Sequence, residues 1–302
     1  MKYEIIGYKK LNIFKVLATA TVAFILLVLI IIVTFMKIAK AKVFFATNEY
    51  AKQISQEQQN KIAYENEIKQ AEIDRIEKRY SKLNSDELDK FEKIYGHSEQ
   101  KRVFLTFDDG PTSTVTPYIL DLLKKEKIKA NFFVLGSRAE INPSLVKREY
   151  DEGHFIGNHG YSHKYSTIYE SVDTVLDEYN RTNQILKEAV GNDKFESLVF
   201  RFPGGVTGGP YNDLKMEAAN RLKSEGIANV DWNALNGDAE GAKTKEAIMD
   251  NFYKTIQNKT SIVLLMHDAP DKILTYETLP DIIKYLKDNG YKFETMYDVV
   301  DR

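Results

Sequence analysis

From about residue 100 to the C-terminus, short β-rich runs alternate with helical patterns, and this alternation restricts the fold more than any other feature of the sequence. The runs fall at 103–107, 130–135, 154–157, 198–202, 227–232, 261–266 and 291–294, and helical patterns occupy about 115–127, 143–152, 171–190, 213–225, 243–257 and 276–289. Such regular alternation favours a parallel sheet or barrel with helices outside, and argues against any all-α or all-β design. Seven runs are too few for a complete eight-stranded barrel, so the expected fold class is α/β, a distorted (β/α) barrel of about seven parallel strands.

Polar residues fall at the C-terminal ends of these runs. Asp108 and Asp109 end the first, Asn158 and His159 the third, Arg201 the fourth, Asp231 the fifth and His267 the sixth. In a parallel barrel these ends share one face, where residues distant in sequence converge on a cavity. Thr106-Phe107-Asp108-Asp109-Gly110-Pro111 alone reads equally as a turn, since Asp, Gly and Pro each favour turns. Beside the other strand-end residues, the two carboxylates become candidates for different tasks, one holding a metal and the other moving protons.

His159 and His163 are four residues apart, so on a helical turn both imidazoles reach one cation. Two histidines and a nearby carboxylate, with positions left for water, make a catalytic site for zinc or a similar divalent ion. His267 follows an apolar strand run and faces the same mouth, where it suits a general acid. Asp231 is placed to orient and charge it, and Arg201 to do the same for Asp108. Gly204 and Gly205 leave bare backbone near the site, suited to an oxyanion donor. His97 and His154 read as structural.

Upstream, positions 16–36 form a run of 21 uncharged residues between Lys15 and Lys37. As a helix the run spans roughly 32 Å, enough to cross a bilayer core of about 30 Å. It is longer than a signal-peptide core, and Lys37, Lys40 and Lys42 crowd the cleavage position, so an uncleaved signal anchor is favoured. Lysines flank both sides, with a slight bias toward a cytoplasmic N-terminus. The expected organisation is a cytoplasmic segment 1–15, a transmembrane anchor 16–36, an extracellular helical stalk 37–98 and a catalytic domain 99–302. The stalk, from Ala46 to Glu92, has no Pro or Gly, and its apolar residues keep no strict heptad, so a solvated helix is expected rather than a coiled coil. Asn84 to Glu87 reads as a fresh helix start.

With 44 acidic against 42 basic residues, the formal charge of −2 offers no electrostatic reason to expect nucleic acid. The chain has no cysteine, which excludes disulfides, thiolate metal sites and cysteine nucleophiles.

The motifs Thr106 to Pro111, His159 to His163, Arg201-Phe202-Pro203-Gly204, Asp231-Trp232 and Leu265-Met266-His267, in this order, resemble those of the polysaccharide deacetylase family, also called the NodB-homology domain or carbohydrate esterase family four. The resemblance covers about residues 100 to 296. It implies a distorted (β/α) barrel and metal-dependent removal of acetyl groups from a polysaccharide. By position it implies Asp108 as catalytic base, Asp109, His159 and His163 as metal ligands, Arg201 setting the base, and Asp231 tuning His267 as catalytic acid. Gly204, Trp232 and Leu265 would then shape the acetyl pocket. The metal it implies is zinc first, with cobalt, manganese or nickel as alternatives. Gly160 stands where the family often has Ser or Thr, and Gly204 where many members have an aromatic residue, which leaves the groove without one wall.

The substrate expected for an anchored, extracellular enzyme of this kind is N-acetylglucosamine in peptidoglycan. Chitin-like polymers, xylan or a secondary wall glycan are alternatives, as is a catalytically silent carbohydrate-binding protein on the same fold. No protein partner is evident.

Overall fold

The computed structural model describes residues 13–302 and divides into two compact units that meet at Glu72 and Ile73. Of the expected cytoplasmic segment, residues 1–12 lie outside the described residues. Helix α1 (Ile13–Tyr80) supplies the first unit. Among the described residues it holds the one stretch long and apolar enough to cross a membrane, and Leu17, Val22, Phe24 and the apolar side chains on to Met36 are exposed.

The second unit contains a parallel sheet. Its strands are β1 (Arg102–Asp108), β2 (Asn131–Val134), β3 (Phe155–Asn158), β4 (Val199–Phe200), β5 (Ala228–Asn229), β6 (Ala234–Leu235), β7 (Ser261–His267) and β8 (Lys292–Phe293). The order is β5-β4-β3-β2-β1-β7-β6, with β8 on the start of β1. Elementary lengths dictate that it curls. The edges β5 and β6 are joined by residues 230–233 alone, a connection that reaches at most about 18 Å when extended. In a flat sheet of that order the same edges would stand roughly 29 Å apart. The edges do not pair, so the result is the expected incomplete barrel. The seven expected runs are strands as read; the addition is the two-residue β6, too short to show a period.

Helices α3 (Thr116–Glu126), α5 (Pro143–Asp151), α7 (Val172–Val190), α8 (Asn212–Ser224), α9 (Lys245–Ile256) and α10 (Ile273–Asp288) match the helical patterns, while α4 (Gly136–Ile141), α6 (Tyr165–Ile168) and α11 (Met296–Val299) are short additions. The two-residue period of β1 sorts its side chains. Val103, Leu105 and Phe107 join Ile119, Leu123, Leu279 and Ile282 in the layer between sheet and helices. Phe104 packs with Phe133, Phe155, Val199 and Val263 in the barrel interior. Thr106 and Asp108 continue that inner row toward the strand's C-terminal end.

The domain boundary differs from the expectation of residue 99. The compact unit begins at Ile73, because the last turn of α1 and helix α2 (Ser85–Glu92) are core rather than stalk. Tyr80 packs on Phe195 and bonds the Tyr150 hydroxyl at 3.1 Å. Leu83, Leu88, Phe91 and Ile94 join Phe104 and Val263, so α2 plugs the barrel end opposite the strand C-termini. Its start is the expected one: Asn84 and Glu87 form a reciprocal capping box.

Candidate active site

β1 and β7 pair with Asp108 opposite His267. Both belong to inward rows, so register and period alone bring carboxylate and imidazole to one cavity, of about 410 Å³. Asp108 is buried, and its Oδ1 accepts from Arg201 Nη1 at 2.8 Å. That same nitrogen donates to Thr106 Oγ1, while Nε and Nη2 donate to the carbonyls of Val230 and Asp231 at 2.9 and 2.8 Å. Arg201 thus binds β1 to the segment that links β5 with β6, with its guanidinium over the Phe133 ring at 3.9 Å. Burial pushes the Asp108 carboxyl above its ordinary range, and Arg201 opposes that push.

Asp109 leaves the strand in a left-handed conformation, φ 75°, and His163 has φ 56°. Such backbone is costly outside glycine and marks positions held for side-chain placement. The ligating atoms of Asp109, His159 and His163 lie within 4.8 Å of one another. Asp109 Oδ1 stands 3.6 Å from His159 Nε2 and 3.4 Å from His163 Nε2, yet this buried oxygen has no hydrogen-bond partner. His159 Nδ1 lies 2.8 Å from the Arg201 carbonyl, so Nδ1 carries the proton and Nε2 presents its lone pair to the carboxylates. Burial drives the His159 pKa down to about 3, keeping the ring neutral as a ligand must be. An orphaned carboxylate oxygen, two imidazoles and this tautomer fit a divalent cation.

Gly160 does not loosen the loop between the two histidines. Its N–H donates to Asn158 Oδ1 at 3.0 Å, and Glu178 accepts from the N–H groups of Tyr161 and Ser162 at 2.9 and 3.1 Å. A Cβ at 160 would meet Ile168 at 2.9 Å, so the left-handed glycine, φ 75°, packs where a side chain would not.

Asp231 is not the partner of His267. Its carboxylate accepts from Val206 N at 3.2 and 3.0 Å and so holds the glycine-rich loop. The partner is Asp238: Oδ1 lies 2.7 Å from His267 Nδ1, and Oδ2 accepts from the His267 N–H at 2.8 Å and from Thr275 Oγ1 at 2.6 Å. The reason is topological. After Asp231 the chain does not stop at the barrel rim but forms β6, which pairs with β7 through Leu235 and Leu265, and the turn at Gly237 then delivers Asp238 beside His267. The signal in the sequence was Asn236-Gly237-Asp238, a turn between two runs. Burial alone would lower the His267 pKa, but the Asp238 hydrogen bond and charge push it up to about 9.

Gly204, Trp232 and Leu265 line the cavity with Asp108, Asp109, His159, His163 and His267; Tyr165, Asp238 and Lys272 line it too and were not read from sequence. Among the described residues the Gly204 N–H makes no hydrogen bond, whereas that of Gly205 is used on the Phe202 carbonyl at 2.8 Å. His154 is structural, accepting from Ala130 N at 3.1 Å, and His97 lies 3.2 Å from Thr260 Oγ1.

A cavity at the C-terminal strand ends of a parallel α/β barrel is the architecture of an enzyme. A family profile described as polysaccharide deacetylase matches residues 95–227. The peptidoglycan-N-acetylmuramic acid deacetylase PdaA of Bacillus subtilis is 32% identical over 218 residues, 70% of this chain and 77% of that protein. A peptidoglycan-N-acetylglucosamine deacetylase of Bacillus cereus is 35% identical over 207 residues, 67% of this chain and 90% of that protein. Among solved structures, a CE4 esterase of Streptococcus mutans superposes with a TM-score of 0.63 at 33% identity, covering 72% of this chain and 96% of that one. The chain belongs to the polysaccharide deacetylase family.

Proposed function

We propose that this protein is a membrane-anchored hydrolase that removes the acetyl group from N-acetylglucosamine residues of peptidoglycan. The observation that carries the chemistry is the pairing of Asp108 with His267 across β1 and β7, with the Asp109, His159 and His163 cluster beside them. Asp108 takes the proton from the attacking water, held in place by Arg201. The Gly204 N–H donates to the oxyanion that forms on the acetyl carbonyl. His267, with Nδ1–H on Asp238, donates its Nε2 proton to the leaving nitrogen, so that a free amine and acetate result. Trp232 and Leu265 enclose the acetyl methyl. Asp109, His159 and His163 would hold a divalent ion, zinc by its ligand preference, which when bound supplies Lewis-acid polarisation of the carbonyl and acidifies water.

The similarity to the peptidoglycan-N-acetylglucosamine deacetylase of Bacillus cereus, which this chain covers over 90% of its length, supports glucosamine as the sugar.

The exposed apolar stretch of α1 supports an anchor over 16–36, with residues 1–15 cytoplasmic and the enzyme outside the cell. The full-length protein, incubated with peptidoglycan, should release acetate in the absence of chelator and not in its presence. Acid hydrolysis of the treated glycan should yield newly deacetylated glucosamine. Newly deacetylated muramic acid instead would reverse the substrate assignment, and no acetate from any acetylated glycan would remove the enzymatic one.

A further inference from the structure

Tyr165, the first residue of α6, stands at the mouth of the catalytic cavity with 44% of its surface exposed. Its hydroxyl makes no hydrogen bond with the protein among the described residues, so no hydrogen bond fixes the ring. The ring is nonetheless held. Its centroid lies 5.8 Å from that of the His163 ring and 5.6 Å from that of the Tyr169 ring, both pairs tilted rather than stacked. Tyr169 is fixed in turn by donating its hydroxyl to the Pro203 carbonyl at 2.6 Å and by packing on Tyr211 at 5.3 Å.

Gly204 and Gly205 lie between two aromatic walls. A Cβ at Gly204, φ 77°, would fall 2.3 Å from the Tyr165 hydroxyl and 3.0 Å from its Cζ; one at Gly205, φ 78°, would fall 3.2 Å from the Trp232 ring. The backbone next to the reacting atoms is therefore bare on the Tyr165 side because Tyr165 fills the space a side chain at 204 would take. The two rings flank the Gly-Gly backbone, and both line the cavity that holds Asp108 and His267.

We propose that Tyr165 is a specificity-determining residue whose ring face is the platform for a pyranose ring of the glycan, opposite the Trp232 wall. Half-exposed aromatic rings in a polar cavity suit ligands that present one apolar C–H face and a hydroxylated edge, as pyranoses do. The inference rests on the deacetylase reading of the same cavity. It adds that recognition of the sugar, as distinct from its acetyl group, depends on a residue of the loop after His163.

The chain has a single tryptophan, Trp232, so its fluorescence reports occupancy of this cavity without any turnover. The test titrates the N-acetylglucosamine tetramer into full-length protein carrying Asp108→Asn, and into the same background with Tyr165→Ala, Tyr165→Phe or Gly204→Ala. Tyr165→Ala should weaken binding about tenfold and Tyr165→Phe less than twofold, since the ring and not the hydroxyl is the platform. Gly204→Ala should weaken binding by displacing the ring, and should weaken it less once Tyr165 is alanine, the remainder being the strain of a side chain at φ 77°. In the chain with Asp108 intact, Tyr165→Ala should raise KM for the tetramer with kcat within about twofold. Equal binding by the parent and Tyr165→Ala chains would overturn the platform alone, as would a loss in Tyr165→Phe equal to that in Tyr165→Ala. If the parent neither binds the tetramer nor releases its acetate, the substrate reading fails and the platform with it.

Discussion

His267 and Asp238 share two contacts: imidazole Nδ1 to Oδ1 at 2.7 Å and backbone N–H to Oδ2 at 2.8 Å. A carboxylate anchored at both oxygens, with Thr275 as a further donor, fixes the ring, its tautomer and its charge together. The imidazolium is thereby favoured up to about pH 9, against a burial that opposes it.

Asp238→Asn should therefore remove the charge that holds the proton on the ring. The amide oxygen can still accept from Nδ1, though its NH₂ then faces the His267 N–H, and burial is opposed only by the more distant Asp108 and Asp109 charges. In metal-free protein the His267 ring, followed by NMR, should titrate near pH 9 in the parent and at or below histidine's ordinary 6.5 in the variant. A general acid must be protonated to act, so the alkaline limb of kcat/KM should move to lower pH, with activity at pH 8 falling about 10- to 100-fold. The same Asp231→Asn change should leave the His267 titration in place. Because the folded pKa of His267 exceeds the unfolded value, the pair's contribution to stability is complete below about pH 6.5 and lost as pH rises through about 9.

Asp108→Asn should lower turnover by about 10²- to 10⁴-fold by removing the proton acceptor. Metal content, measured by mass spectrometry on the purified protein, should not change, because Asp109, His159 and His163 are untouched. Normal turnover would place the base elsewhere; loss of metal would make Asp108 a ligand.

Much of this site was legible because Asp108 and His267 each end a long apolar run, so the strand ends followed from pattern; which side chains face inward did not, since both runs are buried almost throughout and do not alternate. The spacing of His159 and His163 suggested a shared cation on a helical turn, but a loop in which His163 is left-handed brings the two rings together, and Asp109 as their companion came only with the family resemblance. Asp238 was not legible, since it depends on β6, whose two residues carry no period, and on a topology that places β6 next to β7. Tyr80 and Leu83 looked like the irregular apolar positions of a solvated helix, and Leu88, Phe91 and Ile94 like a short amphipathic helix leading into the domain; only their contacts with Phe104, Phe195 and Val263 place them in the core of the compact unit that begins at Ile73. Tyr165 lay in a polar loop, and its role comes from a contact with Gly204 that no local pattern encodes.

Chelation should abolish acetate release, and zinc should restore it. Independently of activity, adding zinc to the metal-free protein should raise its melting temperature, since a ligand at about 1,000 times its Kd stabilises by roughly 4 kcal/mol. Asp109→Ala and His159→Ala should each remove that shift by taking one of the three ligands. A full shift in either variant would place the ion at other residues.

Glu149 gives a prediction about stability alone. It sits on α5, fully buried, and neither carboxyl oxygen has a hydrogen-bond partner. Burial, with a smaller contribution from the Asp268 charge, pushes its pKa well above the ordinary carboxylate range. The folded state then binds a proton that the unfolded chain releases, so stability falls as pH rises above about 4.5, the reverse of a paired carboxylate. Glu149→Met keeps the length and removes the polar group. It should raise stability at pH 7 by about 1–3 kcal/mol, or a melting temperature higher by roughly 2–4 °C per kcal/mol. The gain should shrink toward pH 5, because there the parent carboxyl is neutral in both states. Melting curves of both proteins from pH 5 to 8 read this directly, and a parent at least as stable as the variant at pH 8 would show that Glu149 has a partner in solution.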